Sequence, residues 1–217
     1  MEQTIYNSRV SSTTRGRPST FSRDRVILGA ARLFWRHGYS GTSTRTLTTE
    51  LGISTSSLYA AFGSKAGLFE ETVRTYAERY REIYQQAVAE PDVLAVIERV
   101  LVDSVGEFTQ SSEVHPGCLI SSAALADSTS TLDARAYIAD LQASNAEALL
   151  TRLRQAASDG ELRPGVSPET LTSFIQSVWH GLSAQSNLGA GRDELLDTAR
   201  LTLRLIARQT LATSSQA

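Results

Sequence analysis

Cys118 is the only cysteine in 217 residues, so no intrachain disulfide can form, and with only three histidines a tetrahedral metal site would have to recruit residues scattered along the chain. Long apolar runs are missing too. The longest uncharged stretch, Thr170 to Gly191, has Ser, Thr, Asn, Gln or His at ten of its 22 positions, which a bilayer core does not accept. The N-terminus has no apolar stretch of signal-peptide length. These absences predict a soluble protein of the reducing cytoplasm with no membrane contact, no metal and no cofactor. Catalytic signatures are also lacking: there is no Gly-rich phosphate loop, no G-x-S-x-G, no H-E-x-x-H and no paired His on a helix face, so the chain does not read as an enzyme. Strand-type alternation of useful length is absent throughout.

What is present is an uneven charge distribution. Residues 1 to 65 hold nine basic residues against three acidic ones, and the remainder hold 12 against 20, within a net charge of −2. A basic front ahead of an acidic body suggests that the first part meets a polyanion.

Helical periodicity organises nearly the whole chain, with no internal repeat. Residues 1–21 read as a flexible basic arm. Ser22 opens a first helix with Val26, Ala30 and Phe34 on one face, ending near Gly38. Two short helices, Thr44 to Leu51 and Thr55 to Phe62, flank Gly52-Ile53-Ser54. A Gly stop, an apolar plug and a Ser cap in that order make a helix-turn-helix signature. A long helix follows from Lys65 to before Pro91, then one over Leu94 to Phe108, a short apolar one from about Cys118 to Ala126, and three more over about 135–158, 169–188 and 193–211. The fold class is all-α: an N-terminal three-helix helix-turn-helix domain (22–66), a larger helical domain (67–211) and a tail (212–217).

Residues 22 to 69 resemble the TetR/AcrR transcriptional regulators. The resemblance is carried by Ala31 and Phe34 before His37-Gly38-Tyr39, then Thr42-Ser43, Leu47, Gly52-Ile53-Ser54, Leu58-Tyr59, Phe62, Lys65 and Leu68-Phe69. Arg-Gly-Arg-Pro at 15–18 with His-Pro-Gly-Cys at 115–118 is similar to one subgroup of small AcrR-like repressors. The resemblance implies a DNA-binding domain at 22–66 and a ligand-binding and dimerisation domain at 67–211, in a repressor that binds a near-palindromic double-stranded DNA operator as a homodimer and is released by a small-molecule effector. It also implies phosphate contacts at Tyr59 and Lys65, and it places Ala61 where the family commonly has His. A small-molecule binding protein with vestigial DNA contacts is the alternative.

Between Ser40 and Ser57, eleven of 18 residues are Ser or Thr, short donors suited to phosphate oxygens at helix N-termini. Thr42, Ser43, Thr55, Ser56 and Ser57 are the candidates, with helix capping as the competing role. Arg45 is the candidate for bidentate guanine contact, and Arg15 and Arg17 for an adjacent minor groove. Tyr76, Tyr80 and Tyr84 form a stripe that either lines a cavity or packs in the core. With Phe108, Cys118, Asn145, Phe174, Ser177 and Val178, Tyr76 and Tyr80 make up the expected effector pocket. His115 and Cys118 have the spacing of half a metal site, or Cys118 is an inert buried thiol. Charge depletion along 170–188 and the apolar face of the last helix predict a dimer interface through Trp179, Leu182, Leu195, Ala199, Leu203 and Ile206.

Overall fold

Six of the described α-helices start where a hydroxyl or carboxylate accepts one of the first free backbone N–H groups. Ser22, Ser43, Ser54 and Ser64 cap α1 (Arg23–Gly41), α2 (Thr44–Leu51), α3 (Thr55–Phe62) and α4 (Lys65–Val88), each accepting from the N–H three residues on. A computed structural model describes residues 22–110, 118–119 and 132–210. The expected arm with Arg15 and Arg17, the tail 212–217, His115, and most of the short helix after Cys118 lie outside the described residues.

Within α1 the helical path breaks at Gly38, at φ 67°. Gly52, at φ 63° and ψ 36°, ends α2 in the left-handed region that a side chain disfavours, and the N–H groups of Gly52 and Ile53 bond to the carbonyls of Thr49 and Thr48. Phe34, Leu47, Leu58, Phe62 and Phe69 close the small core of this three-helix head, with the rings of Phe34 and Phe69 edge to face at 5.0 Å.

The 24 residues of α4 extend about 36 Å at 1.5 Å per residue, far enough to leave the head and form a wall of the second half. Asp92 caps α5 (Val93–Glu98), a π-helical turn follows at Arg99–Asp103, and α6 (Ser104–Phe108) completes the run. The π turn was unforeseen from sequence; after it, Ser104 and Phe108 are both buried. α7 (Leu132–Ser158) packs along α4 and α8 (Pro168–Asn187), and α9 (Arg192–Ile206) lies against α5, α6 and α8. The last helix was expected to reach residue 211. Instead it tightens into a 3₁₀ turn at Ala207–Gln209, and Thr210 turns extended to form an isolated bridge with Leu162.

A buried ion pair holds the α4–α5 corner. Arg152 meets Glu161 at 3.1 Å and donates to the carbonyl of Pro91 at 2.8 Å, while Glu161 accepts the N–H of Val93 at 2.9 Å. Both side chains are largely shielded from solvent, at 13% and 7% exposure.

Candidate nucleic-acid interface and effector cavity

The three-residue turn sets α2 and α3 so that their N-terminal ends open outward. Neither helix has an acidic residue in its first turn, which leaves the positive end of each helix dipole unopposed. Arg45, Thr55, Ser56 and Tyr59 are all exposed, with Tyr59 at 48%, and Ser57 is half-buried. Together they present one guanidinium, one phenol and a row of hydroxyls.

The hydroxyls divide into groups. Ser43 is exposed but accepts the Thr46 N–H as the α2 cap. The Ser54 hydroxyl caps α3 and lies 2.8 Å from both the Ser56 and the Ser57 hydroxyls. Thr42, expected to contact DNA, is fully buried and donates to the carbonyl of Gly38 at 2.7 Å, so it locks the α1–α2 turn instead. A threonine hydroxyl satisfied inside a turn has nothing to offer a phosphate.

Lys65 also points partly inward. Its ammonium donates to the carbonyls of Tyr39 and Thr42 at 3.0 Å each and sits 4.0 Å from the centre of the Tyr39 ring, and burial pushes its pKa down. One of its three donors remains for a phosphate. Sequence reasoning missed this strut because its acceptors are backbone atoms of a distant turn. Lys65→Met is expected to lower folding stability by about 1–2 kcal/mol through lost charge-assisted hydrogen bonds. The salt dependence of DNA binding should change by no more than about one unit of slope. Urea denaturation and a salt series of binding titrations check the two halves of that expectation.

Further ties run between the head and α4. Arg23 pairs with Glu71 through both carboxylate oxygens, donates to the carbonyl of Ala61 at 2.9 Å and lies over the Phe62 ring, fixing the end of α3. At Gly67 an added Cβ would come within 2.1 Å of the Phe62 carbonyl oxygen, so only glycine lets α4 start so close to the end of α3. Trp35 of α1 meets Tyr76 of α4 edge to face at 5.0 Å. The Arg79 guanidinium covers Tyr76 and bonds Glu107 of α6 at 2.6 Å.

One turn beyond Tyr76, α4 reaches a cavity lined by Tyr80, Tyr84, Leu141, Gln142, Asn145, Gln176 and Trp179. Its volume of about 10 Å³ is room for about one water molecule. The Trp179 indole N–H donates to the Ser104 hydroxyl at 2.8 Å, and Gln176 donates to the Tyr84 hydroxyl at 2.9 Å. Burial raises the pKa of both phenols, reinforced at Tyr80 by a hydrogen bond with the Cys118 thiol and opposed at Tyr84 by Gln176. Both tyrosines therefore stay neutral at physiological pH. Cys118 is buried, and its backbone N–H donates to the Asn187 side chain at 2.7 Å.

This cavity takes in only part of the expected pocket. Tyr80 and Asn145 line the cavity, and Phe108 and Cys118 support Tyr80 from behind. Tyr76 belongs to the junction with the head. Phe174 and Ser177 are exposed on the outer side of α8, with Ser177 donating to the Ser173 carbonyl, and Val178 is half-buried. None of these four is among the lining residues. Leu141, Gln142, Tyr84 and Gln176 are, and the spacing of Gln142 and Asn145, three apart on one helix face, was the available signal.

The expected dimer-interface residues lie mostly inside the chain. Trp179, Leu182, Leu195, Ala199 and Ile206 are buried within the chain's own core, and Leu203 is half-buried. The apolar side chains left exposed on the same two helices are Phe174 (44%), Leu201 (50%) and Leu205 (47%), beside a surface groove of about 450 Å³. Along α8 the outer stripe continues through Ser177, Gly181 and Ala184 without a formal charge, and His180 sets its ring edge-on to Trp179.

Comparison with known proteins agrees with this layout. Residues 26–72 match the family model for bacterial regulatory proteins of the tetR family, and residues 96–203 match a tetracyclin repressor-like C-terminal domain. The chain is 29% identical over 194 residues to the HTH-type transcriptional repressor ComR of Escherichia coli (strain K12), covering 88% of this chain and 92% of that one. It is 30% identical over 196 residues to the HTH-type transcriptional repressor AcnR of Corynebacterium glutamicum, covering 89% and 98%. A solved structure of the TetR family regulator CifR, a cysteine mutant complexed with 26-bp operator DNA, superposes with a TM-score of 0.74 at 32% identity, over 87% of this chain and 98% of that one. With a helix-turn-helix head, a helical body and relatives of this kind along most of its length, the chain belongs to the TetR family of bacterial transcriptional regulators, which are not enzymes.

Proposed function

We propose that this protein is a ligand-responsive repressor of the cytoplasm. It binds a near-palindromic operator as a homodimer through residues 22–66 and is released when a small molecule enters the 67–211 half. The reading rests above all on α4. Its first turns are pinned to the head by Lys65 and the Arg23–Glu71 pair, and its middle supplies Tyr80 and Tyr84 to the cavity. A cavity that holds about one water cannot take an effector without pushing its walls apart. A shift of α4 then drags α1 and α3 with it. The effector must bind the open arrangement better than the closed one, since only that difference moves the equilibrium.

At the DNA surface, Arg45 is the only exposed cation of α2 and α3. The exposed face of α3 offers hydroxyls, a phenol and the Ala60 methyl, groups that suit phosphates and thymine methyls more than guanine edges. Mobility shift with DNA from upstream of the chain's own gene tests operator binding. Arg45→Ala is expected to relax preference at one base pair by about 1–3 kcal/mol and to leave the others intact. Uniform weakening at every position would make Arg45 a phosphate contact.

The dimer is proposed to form through the outer faces of α8 and α9, where Phe174, Leu201 and Leu205 are exposed. A second copy placed by a two-fold axis covers this patch with itself, as isologous interfaces require, and two helices from each subunit make a four-helix bundle.

A further inference from the structure

We infer that the cavity between α4, α7 and α8 takes a small uncharged aromatic compound carrying a hydrogen-bonding group, an aryl amide or a phenol, and rejects carboxylates and ammonium ions of similar size. The inference rests on the proposed effector role of this cavity and adds the chemistry that the cavity selects.

Three features of the walls carry it. The first is charge. The lining consists of three rings, three carboxamides and one leucine, with no ionisable group other than two phenols held neutral by burial. Among the groups that act on Tyr80, Cys118 is a buried thiol behind the wall, and Glu107 and Arg79 act with opposite sign and are paired with each other at 2.6 Å. An ionic ligand would enter without a counter-charge, and burying an unpaired ion is costly.

The second is hydrogen bonding. Gln142, Asn145 and Gln176 each bring a carbonyl acceptor and an amide donor, so a ligand amide or hydroxyl finds partners of both kinds. The bond from Gln176 to the Tyr84 hydroxyl closes the cavity between α8 and α4, and a ligand amide can replace it with a bond to each. Entry therefore exchanges a link that draws α4 towards α8 for one that spaces them apart.

The third is shape. Tyr80 and Trp179 stand edge to face at 5.6 Å, and Phe108 braces both from the far side. Aromatic edges and faces at such angles accept another ring in offset or edge-on packing.

The test uses the whole protein and three matched probes: benzamide, benzoate and benzylammonium. The chain has two tryptophans, Trp35 in the head and Trp179 at the cavity, so a ¹H–¹⁵N spectrum carries two indole N–H peaks, assigned with Trp35→Phe. Benzamide is expected to shift the Trp179 peak at a concentration at least about tenfold below either ion, the margin set by burying an unpaired charge. Asn145→Asp should reverse the order in favour of benzylammonium. The inference is overturned if either ion shifts that peak as readily as benzamide, if none of the three shifts it, or if Asn145→Asp keeps the parent's order. Anisotropy of labelled upstream DNA, followed alongside, separates the two layers. Benzamide binding at Trp179 without release of DNA keeps the ligand class and overturns the effector role. Retention of DNA binding with no response to any probe overturns the ligand class and leaves the regulator intact.

Discussion

Leu205→Glu is expected to yield a folded monomer whose operator affinity falls by about 10²- to 10⁴-fold, because two half-sites are then bound by unlinked heads. Leu205 is half-exposed on α9, next to Leu201 and across the groove from Phe174 on α8, so a carboxylate there meets water in the single chain and an apolar surface in the dimer. Sedimentation reads the mass, and mobility shift with upstream DNA reads the affinity. Leu195→Glu is the contrasting variant. Leu195 is fully buried against the chain's own core, and a charge there should unfold the subunit before assembly is at issue. A Leu205→Glu protein that remains dimeric would place the interface elsewhere.

Glu161→Ala is expected to cost about 3–5 kcal/mol of folding stability, seen as a lower urea midpoint. The loss is large because it strands Arg152 in a nearly buried position and leaves the Val93 N–H without its acceptor. Replacing both partners, as Arg152→Met with Glu161→Leu, should recover much of the loss, since no unpaired charge remains. The effect reaches function through geometry: the pair holds the corner at which α4 ends and α5 begins, and the cavity wall depends on where α4 lies.

The helices were legible in the sequence because their signals are local. Ser22 before Arg23, Gly52 after Leu51 and Ser54 before Thr55 are caps and stops that act within a few residues, and each is observed. Which face of a helix looks inward is a different matter. Phe174 and Trp179 are five residues apart, about 140° around α8. With no formal charge between them, nothing in the sequence says which side meets α6 and which is left exposed. Trp179 turns inward, where the Ser104 hydroxyl of α6 accepts its indole N–H. The same limit applies to Lys65 and Thr42, whose partners are backbone carbonyls of a turn that exists only after α1 breaks at Gly38. Arg45, Thr55 and Ser56 were readable as outward from the helix-turn-helix pattern, and Tyr59 from the family resemblance.

The most direct measurement is equilibrium binding of labelled upstream DNA against a scrambled duplex of the same length, followed by anisotropy over a range of salt. If about eight phosphates are neutralised by the two heads, log affinity falls against log salt with a slope near −7, and the upstream DNA binds at least about 10³-fold more tightly than the scrambled one. Equal affinity for both duplexes, or binding that does not respond to salt, would contradict a repressor that reads an operator through α2 and α3.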